Sequence, residues 1–187
     1  MLADAFIPMI FVQWPLMLGA LVPVIVVEAL LIRRWVPLSY REAFTGVAKA
    51  NLLSTAAGVP LAWGIMLGIQ FAFGLTVLFP VFLAAEHWQW RFNSPVLEAV
   101  AFVFCIAWLP PVDGCLCWMI PAAAALLLIP CFYVSIGIEC RSCLRSWPNS
   151  KPALVRRGVY FANLASYAVL YVLACCWVAF AVLTERP

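Results

Sequence analysis

Charged positions divide the chain into long apolar stretches. Ala5 to Val27 carries no charge, and the apolar run continues past Glu28 to Ile32. Ala50 to Ala85 runs for 36 residues without a charge, Ala99 to Val112 for 14, Gly114 to Ile138 for 25 and Gly158 to Thr184 for 27. A helix rising 1.5 Å per residue needs roughly 20 such residues to cross a hydrocarbon core of about 30 Å. Lipid offers no hydrogen bonds to free backbone groups, so spanning segments are helices or closed barrels. The alternation of polarity that a barrel needs is absent from these stretches. The pattern therefore predicts an all-α integral membrane protein, with residues 1–187 as a single transmembrane domain. Asp4 stands where a cleavable signal would carry positive charge, so the first helix is expected to be retained.

Composition sharpens this. The chain is 67% hydrophobic and 10% charged, with a mean hydropathy of +1.05, against about 45–50% apolar and about 25% charged in soluble domains. A secreted disulfide scaffold, a soluble enzyme and a nucleic-acid binder built on basic patches are excluded. The few charges also orient the chain. Arg33, Arg34, Arg41 and Lys49 fall in one polar loop, and Arg141, Arg145, Lys151, Arg156 and Arg157 in another, against Glu42 and Glu139. Short loops of this kind collect on the cytoplasmic side, so loops 33–49 and 139–157 are expected there and both termini outside. The formal net charge of +3 mostly reflects these loops, which anchor the topology and meet anionic lipid headgroups.

Two cytoplasmic loops require an even number of crossings between them. With two, the protein has four full spans plus an outer excursion of interfacial or re-entrant helices, at about 71–112. With four, a turn near Gln70 to Gly74 and a crossing over Ser94 to Val112 give six spans. Those extra spans are short and interrupted by Pro80, Pro110 and Pro111, and spans that short need bilayer thinning or buried ends. Four spans plus the excursion is the favoured arrangement, with six as the alternative.

An internal repeat runs through the four-span arrangement. Gly46-Val47-Ala48-Lys49-Ala50-Asn51-Leu52-Leu53-Ser54 matches Gly158-Val159-Tyr160-Phe161-Ala162-Asn163-Leu164-Ala165-Ser166 at six of nine positions. Glu28 pairs with Glu139, Trp35 with Trp147 and Pro37 with Pro148 at nearly the same offset. Two parallel helical hairpins are expected, at about 8–70 and 114–184, related by a pseudo-two-fold axis along the membrane normal. Hairpin geometry brings Glu28 towards Asn51 and Glu139 towards Asn163, with Ser54 and Ser166 about one turn further on. An intramembrane carboxylate is costly unpaired and is a candidate site. The structural reading is that these six residues bridge helices, or that the acids reach the interface and pair with Lys49 and the arginines.

Asn51, Thr55, Gly58 and Ala62 form one small-residue stripe, and Gly64 with Gly68 forms a GxxxG on another face. Internal helix packing is the expected use of both, with another subunit as the alternative neighbour. Prolines at 15, 23, 60, 80, 121 and 130 are expected to bend helices.

Candidate chemistry is sparse. Cys140-Arg141-Ser142-Cys143 is a C-x-x-C beside basic residues, where thiolates are stabilised, and it is the candidate for redox chemistry or lipidation. Buried cysteine otherwise acts as a small apolar residue. His87, the one histidine, lies in the aromatic segment Glu86 to Phe92, which reads as an interfacial belt, with pigment or haem ligation as the functional alternative. Four-ligand zinc is not supported, and no nucleophilic or phosphate-binding motif is present. No metal or cofactor is expected beyond bound lipids.

The stretches Gly46 to Ser54 and Gly158 to Ser166, with Trp118-Met119-Ile120-Pro121-Ala122-Ala123, resemble motifs of a family of small uncharacterised bacterial polytopic membrane proteins. The resemblance implies a bacterial inner-membrane location and no particular activity. The expected function is that of a non-catalytic subunit or scaffold in a larger membrane assembly, with lipids and other membrane subunits, or further copies of the chain, as partners. One alternative is a small homo-oligomeric transporter or channel framed by Glu28, Asn51, Glu139 and Asn163. A second is a membrane thiol/quinone oxidoreductase using Cys140 and Cys143.

Overall fold

The computed structural model describes residues 7–80, 95–109 and 116–184. It is helical, and among the described residues four helices are long and apolar enough to cross a membrane: Ile10–Ile32, Tyr40–Val77, Trp118–Ser146 and Pro152–Thr184. In chain order the elements are β1 (Ile7–Pro8), α1 (Ile10–Ile32), α2 (Tyr40–Leu53), α3 (Val59–Phe73), α4 (Pro95–Phe104), β2 (Trp108–Leu109), α5 (Leu116–Ser146) and α6 (Pro152–Thr184). Helices α1 and α2–α3 form one hairpin and α5 and α6 the other. Each turns through a basic loop at the same end of the bundle.

The start of α2 is specified locally. The side chain of Ser39 accepts from the Glu42 backbone N–H at 3.2 Å, and Glu42 Oε2 accepts from the Ser39 N–H at 2.9 Å. This reciprocal capping satisfies two donors that a helix start leaves free. From there the chain stays helical beyond Val77, with α2 and α3 joined through the π-helical turn Ser54–Gly58 and a second such turn at Gly74–Leu78. Each π turn ends two residues before a proline, Pro60 or Pro80. A proline ring crowds the carbonyl four residues back and lacks an N–H to bond it. Widening the preceding turn relieves that crowding, so the Val59 N–H bonds to Ser54 O and the Phe79 N–H to Gly74 O. The turn at Gln70 to Gly74 that the six-span alternative needs is absent, because the chain is helical throughout that stretch. An excursion beginning at about residue 71 is thus corrected, because the helix continues beyond Val77, and the described part of α4 has 10 residues, fewer than the roughly 20 a crossing needs. His87 and the aromatic belt lie outside the described residues.

Three apolar clusters stack along the bundle. At the basic-loop end Ile32, Val36, Val47, Cys143, Trp147 and Val159 are buried together. In the middle Val59, Ala62, Leu128, Cys131 and Tyr167 meet. At the far end Met9, Ile106, Leu109, Met119 and Leu127 pack under β1 and β2. Large apolar side chains elsewhere face outward, Phe11 and Val22 among them, as suits helices whose surroundings are lipid rather than water.

The far end is held by borrowed hydrogen bonds. The carboxamide of Gln70 donates to Trp108 O at 2.9 Å and accepts from the Trp108 N–H at 3.0 Å, while the indole of Trp63 donates to Ala107 O at 2.8 Å. One side chain thus does for Trp108 what a neighbouring strand would do. Gln70→Leu should release both bonds at a cost of about 1–2 kcal/mol, visible as roughly tenfold faster amide exchange at Trp108 with little change in the amides of α6.

Gly46 and Gly158 set how closely the hairpins approach at the basic-loop end. A Cβ at Gly46 would lie 2.5–2.8 Å from the indole of Trp147, and one at Gly158 would lie 3.3 Å from Trp35 Cβ. Each hairpin therefore seats its glycine against the other hairpin's tryptophan. Trp147 Nε1 also donates to Glu42 O at 3.3 Å. Trp35 stacks on Phe161 at 5.4 Å between centroids, and the Arg157 guanidinium lies over its ring at 4.5 Å, an attraction strengthened where water is scarce.

Candidate functional site

Between the basic-loop cluster and the middle cluster lies a polar junction built from four helices. Glu28 comes from α1, Asn51 from α2, Ser54 from the π turn that follows it, Glu139 from α5, and Asn163 and Ser166 from α6. All six are buried, with Glu28 only 1% and Glu139 only 3% exposed. The neighbours of Glu28 at Ile25 and Ile32 belong to the apolar core, so the stripe that carries the acid faces the bundle interior. The acids do not reach out to Lys49 or the arginines.

The hydrogen bonds follow an exchange pattern. Asn51 Nδ2 donates to Glu28 Oε2 at 2.7 Å, and Asn163 Nδ2 donates to Glu139 Oε2 at 2.7 Å. The second carboxylate oxygens cross over. Ser166 Oγ donates to Glu28 Oε1 at 2.5 Å, and Ser54 Oγ donates to Glu139 Oε1 at 2.7 Å. Every carboxylate oxygen thus has one donor, from its own hairpin through an asparagine and from the other through a serine. These lengths are those of strong, acid-assisted bonds.

The amides are held in one orientation. Asn51 Nδ2 also bonds Val47 O at 3.2 Å, and Asn163 Nδ2 bonds Val159 O at 3.1 Å. Each NH2 group faces two acceptors, so a flipped amide would set oxygen against oxygen. Among the described residues Asn163 Oδ1 has no hydrogen-bond partner, on a side chain with 0% exposure. Each serine also approaches the carbonyl of its asparagine, Ser54 Oγ to Asn51 O and Ser166 Oγ to Asn163 O, both at 3.1 Å.

Next to Glu139 is a cavity of about 10 Å³ lined on its polar side by Asn51, Ser54, Thr55, Ser135 and Tyr167, which is room for a single water. Ser135 and Tyr167 hydrogen-bond to each other across it at 2.8 Å. Met17, Ala20 and Leu170 line both this cavity and a larger apolar cleft of about 220 Å³ reaching Gln13 and Trp177. Gln13 is 3% exposed, and among the described residues its Oε1 has no hydrogen-bond partner.

The other candidates lie elsewhere. Cys140 and Cys143 are free thiols one turn apart on α5; Cys143 is buried in the basic-loop cluster and Cys140 packs beside it. Neither touches the junction's hydrogen bonds. Asn51, Thr55, Gly58 and Ala62 are buried, and a Cβ at Gly58 would lie 3.1 Å from Ile138 Cδ1, so α5 packs on that stripe. Gly64 and Gly68 differ from expectation. A Cβ at either would meet nothing within 4 Å, so among the described residues the GxxxG face is not used for internal packing. The reason is rotational: α5 and α1 occupy the buried side of α3, at Val59 and Ala62, and the glycines point away from it.

The pairing of Glu28 with Asn51 and of Glu139 with Asn163 follows from hairpin spacing. The serine exchange and the glycine–tryptophan exchange do not, although matching Gly, Trp, Glu, Asn and Ser in both halves was the signal for them. Set against protein families, characterised proteins and solved structures, the chain matches none.

Proposed function

We propose that the protein is a non-catalytic subunit or scaffold of a membrane assembly, in a bacterial inner membrane, with the basic-loop end of the bundle, which carries the arginines and lysines of residues 33–49 and 139–157, in the cytoplasm and both termini outside. The observation that carries this reading is the exchange of hydrogen bonds at the junction. Four helices are braced by acids that each take one donor from either hairpin, which favours a rigid platform. The open GxxxG face of α3 supports it, since small residues let a second backbone come close. The matched pairs Glu28 and Glu139, Asn51 and Asn163, Ser54 and Ser166 support two parallel hairpin repeats. Gentle extraction followed by sizing and mass spectrometry is the test. Recovery with other polypeptides in fixed ratio is expected, and a homo-oligomer alone would sink the reading.

A second reading, a small homo-oligomeric transporter or channel, is favoured by one specific feature. Every partner of the two buried acids is a neutral amide or hydroxyl, and unneutralised acids at membrane depth are costly for a merely structural purpose. Glu28→Gln separates the two. The scaffold should keep its assembly and show no flux in liposomes before or after the change; a transporter should lose flux while keeping its assembly.

A further inference from the structure

Hydrogens at the junction do not balance. Eight hydrogen bonds connect the two amides and two hydroxyls to the carboxylates and to the carbonyls of Val47, Asn51, Val159 and Asn163. Two amide groups and two hydroxyls supply six hydrogens. With both acids ionised, each serine has one hydrogen between two acceptors, a carboxylate oxygen and a backbone carbonyl. Asn163 Oδ1, at 0% exposure and without a partner, is a further acceptor in the same place. The junction is short of hydrogens by two, and it holds two acids that are able to carry them.

We propose that the junction is a proton-binding site with two seats, Glu28 with Ser166 and Glu139 with Ser54. When a proton arrives on Oε1 of either acid, that oxygen becomes the donor to the serine Oγ. The serine hydrogen turns to the asparagine carbonyl that already lies 3.1 Å away. One proton is taken from solution, no heavy atom moves, and every bond in that half of the network has its own hydrogen. On release the serine hydrogen swings back to the carboxylate. The same heavy-atom positions serve both states, with the serine hydrogen shared between carboxylate and carbonyl in one and settled on the carbonyl in the other, which is what a site that loads and unloads protons requires. The small cavity beside Glu139 gives one water a place in the network.

Few other charges act there. On α5 the titratable groups near the acids are Cys140 and Cys143, and on α6 Tyr167, with Arg156 beyond Cys140. Among the described residues the side chains that α2 and the π turn bring to the junction are the neutral Asn51, Ser54 and Thr55, and from α1 Glu28 is joined by the apolar Met17, Ala20, Leu21 and Val24.

The site makes a particular demand on substitutions. Gln in place of either acid keeps an oxygen for the asparagine amide and puts an NH2 group where the loaded acid has its O–H. Glu28→Gln and Glu139→Gln should therefore fold as mimics of the loaded state. Infrared difference spectra of the full chain in lipid nanodiscs, titrated with pH, read the proton directly. The wild type minus the Glu28→Gln/Glu139→Gln double variant should show a carboxylic-acid C=O band that shifts in D2O and vanishes as pH rises. Each single variant should keep roughly half of it, since the two seats are chemically alike. Ser54→Ala or Ser166→Ala should move the frequency of its own half by removing the hydroxyl that accepts the acid's hydrogen. The proposal is overturned if the difference band is absent at every pH at which the helices persist, or if both serine variants leave it unmoved. The serine variants decide the matter even where a Gln variant does not fold. None of these outcomes depends on whether partner polypeptides are present, so failure here leaves the scaffold reading standing.

Discussion

Gly46→Val should destabilise the bundle by about 3 kcal/mol, the upper part of the ordinary range for overpacking, and should do so at a position with no part in the polar junction. A single Cβ already falls 2.5–2.8 Å from three atoms of the Trp147 indole. The ring has little freedom to retreat, because it is itself buried in the basic-loop cluster and its Nε1 bonds to Glu42 O. The measurement is unfolding of the reconstituted protein by a denaturing detergent, followed by helix content. Gly158→Ala, whose Cβ would lie 3.3 Å from Trp35, should cost less, since a shift of a few tenths of an ångström relieves it. Gly64→Ala should be neutral or slightly stabilising, because the space is open and alanine favours helix over glycine. Trimming the ring with Trp147→Leu should restore part of what Gly46→Val loses. Equal losses at Gly46 and Gly64 would show that helix conformation, and not the contact between hairpins, sets the cost.

The second large effect is expected from Asn163→Leu, at about 2–3 kcal/mol. This change strips Glu139 Oε2 of its 2.7 Å donor and leaves a buried acid half satisfied, and bonds to charged groups are worth about 1.5–3 kcal/mol. Ordinary hydrogen bonds between membrane helices average only about 0.6 kcal/mol, so the size of the loss is informative. A double-mutant cycle of Asn163→Leu with Glu139→Leu isolates the pair. The double variant should recover much of the stability, because removing both partners leaves nothing buried and unpaired. A coupling above about 1.5 kcal/mol indicates an ionised acid in the measured state, and one near 0.6 kcal/mol a neutral one. Running the cycle on both sides of the infrared transition should move the coupling between these values.

Much of this arrangement is legible from residues alone, for physical reasons. Uncharged length alone identifies the four long helices, because lipid tolerates no other way of hiding a backbone. Glu28 and Asn51 could be paired from hairpin spacing, since one precedes and the other follows the same cluster of basic residues. Ser166 could not be assigned to Glu28 in the same way. Its partner lies in the other hairpin, and the rotation that brings them together is fixed by glycine–tryptophan packing that no spacing rule encodes. The run from Ala50 to Ala85 invited a turn in its middle because it is too long for one crossing. The structure resolves the excess differently, with a long helix widened before Pro60 and again before Pro80. Hydropathy is blind to that choice, because a π turn and a loop share the same apolar letters. The GxxxG face was likewise visible as a pattern, but its direction depends on which side of α3 the acid-bearing helices occupy.

The crossing of the serines has a consequence for how the two halves belong together. Were each acid completed within its own hairpin, the hairpins would be self-contained and their association a matter of apolar fit. Here neither acid is complete in isolation: the first hairpin leaves Glu28 waiting for Ser166, and the second leaves Glu139 waiting for Ser54. Recognition between the halves is thus written into the polar atoms themselves and is independent of the peptide that links them. The junction therefore ties the two hairpins together through acids that neither hairpin completes by itself.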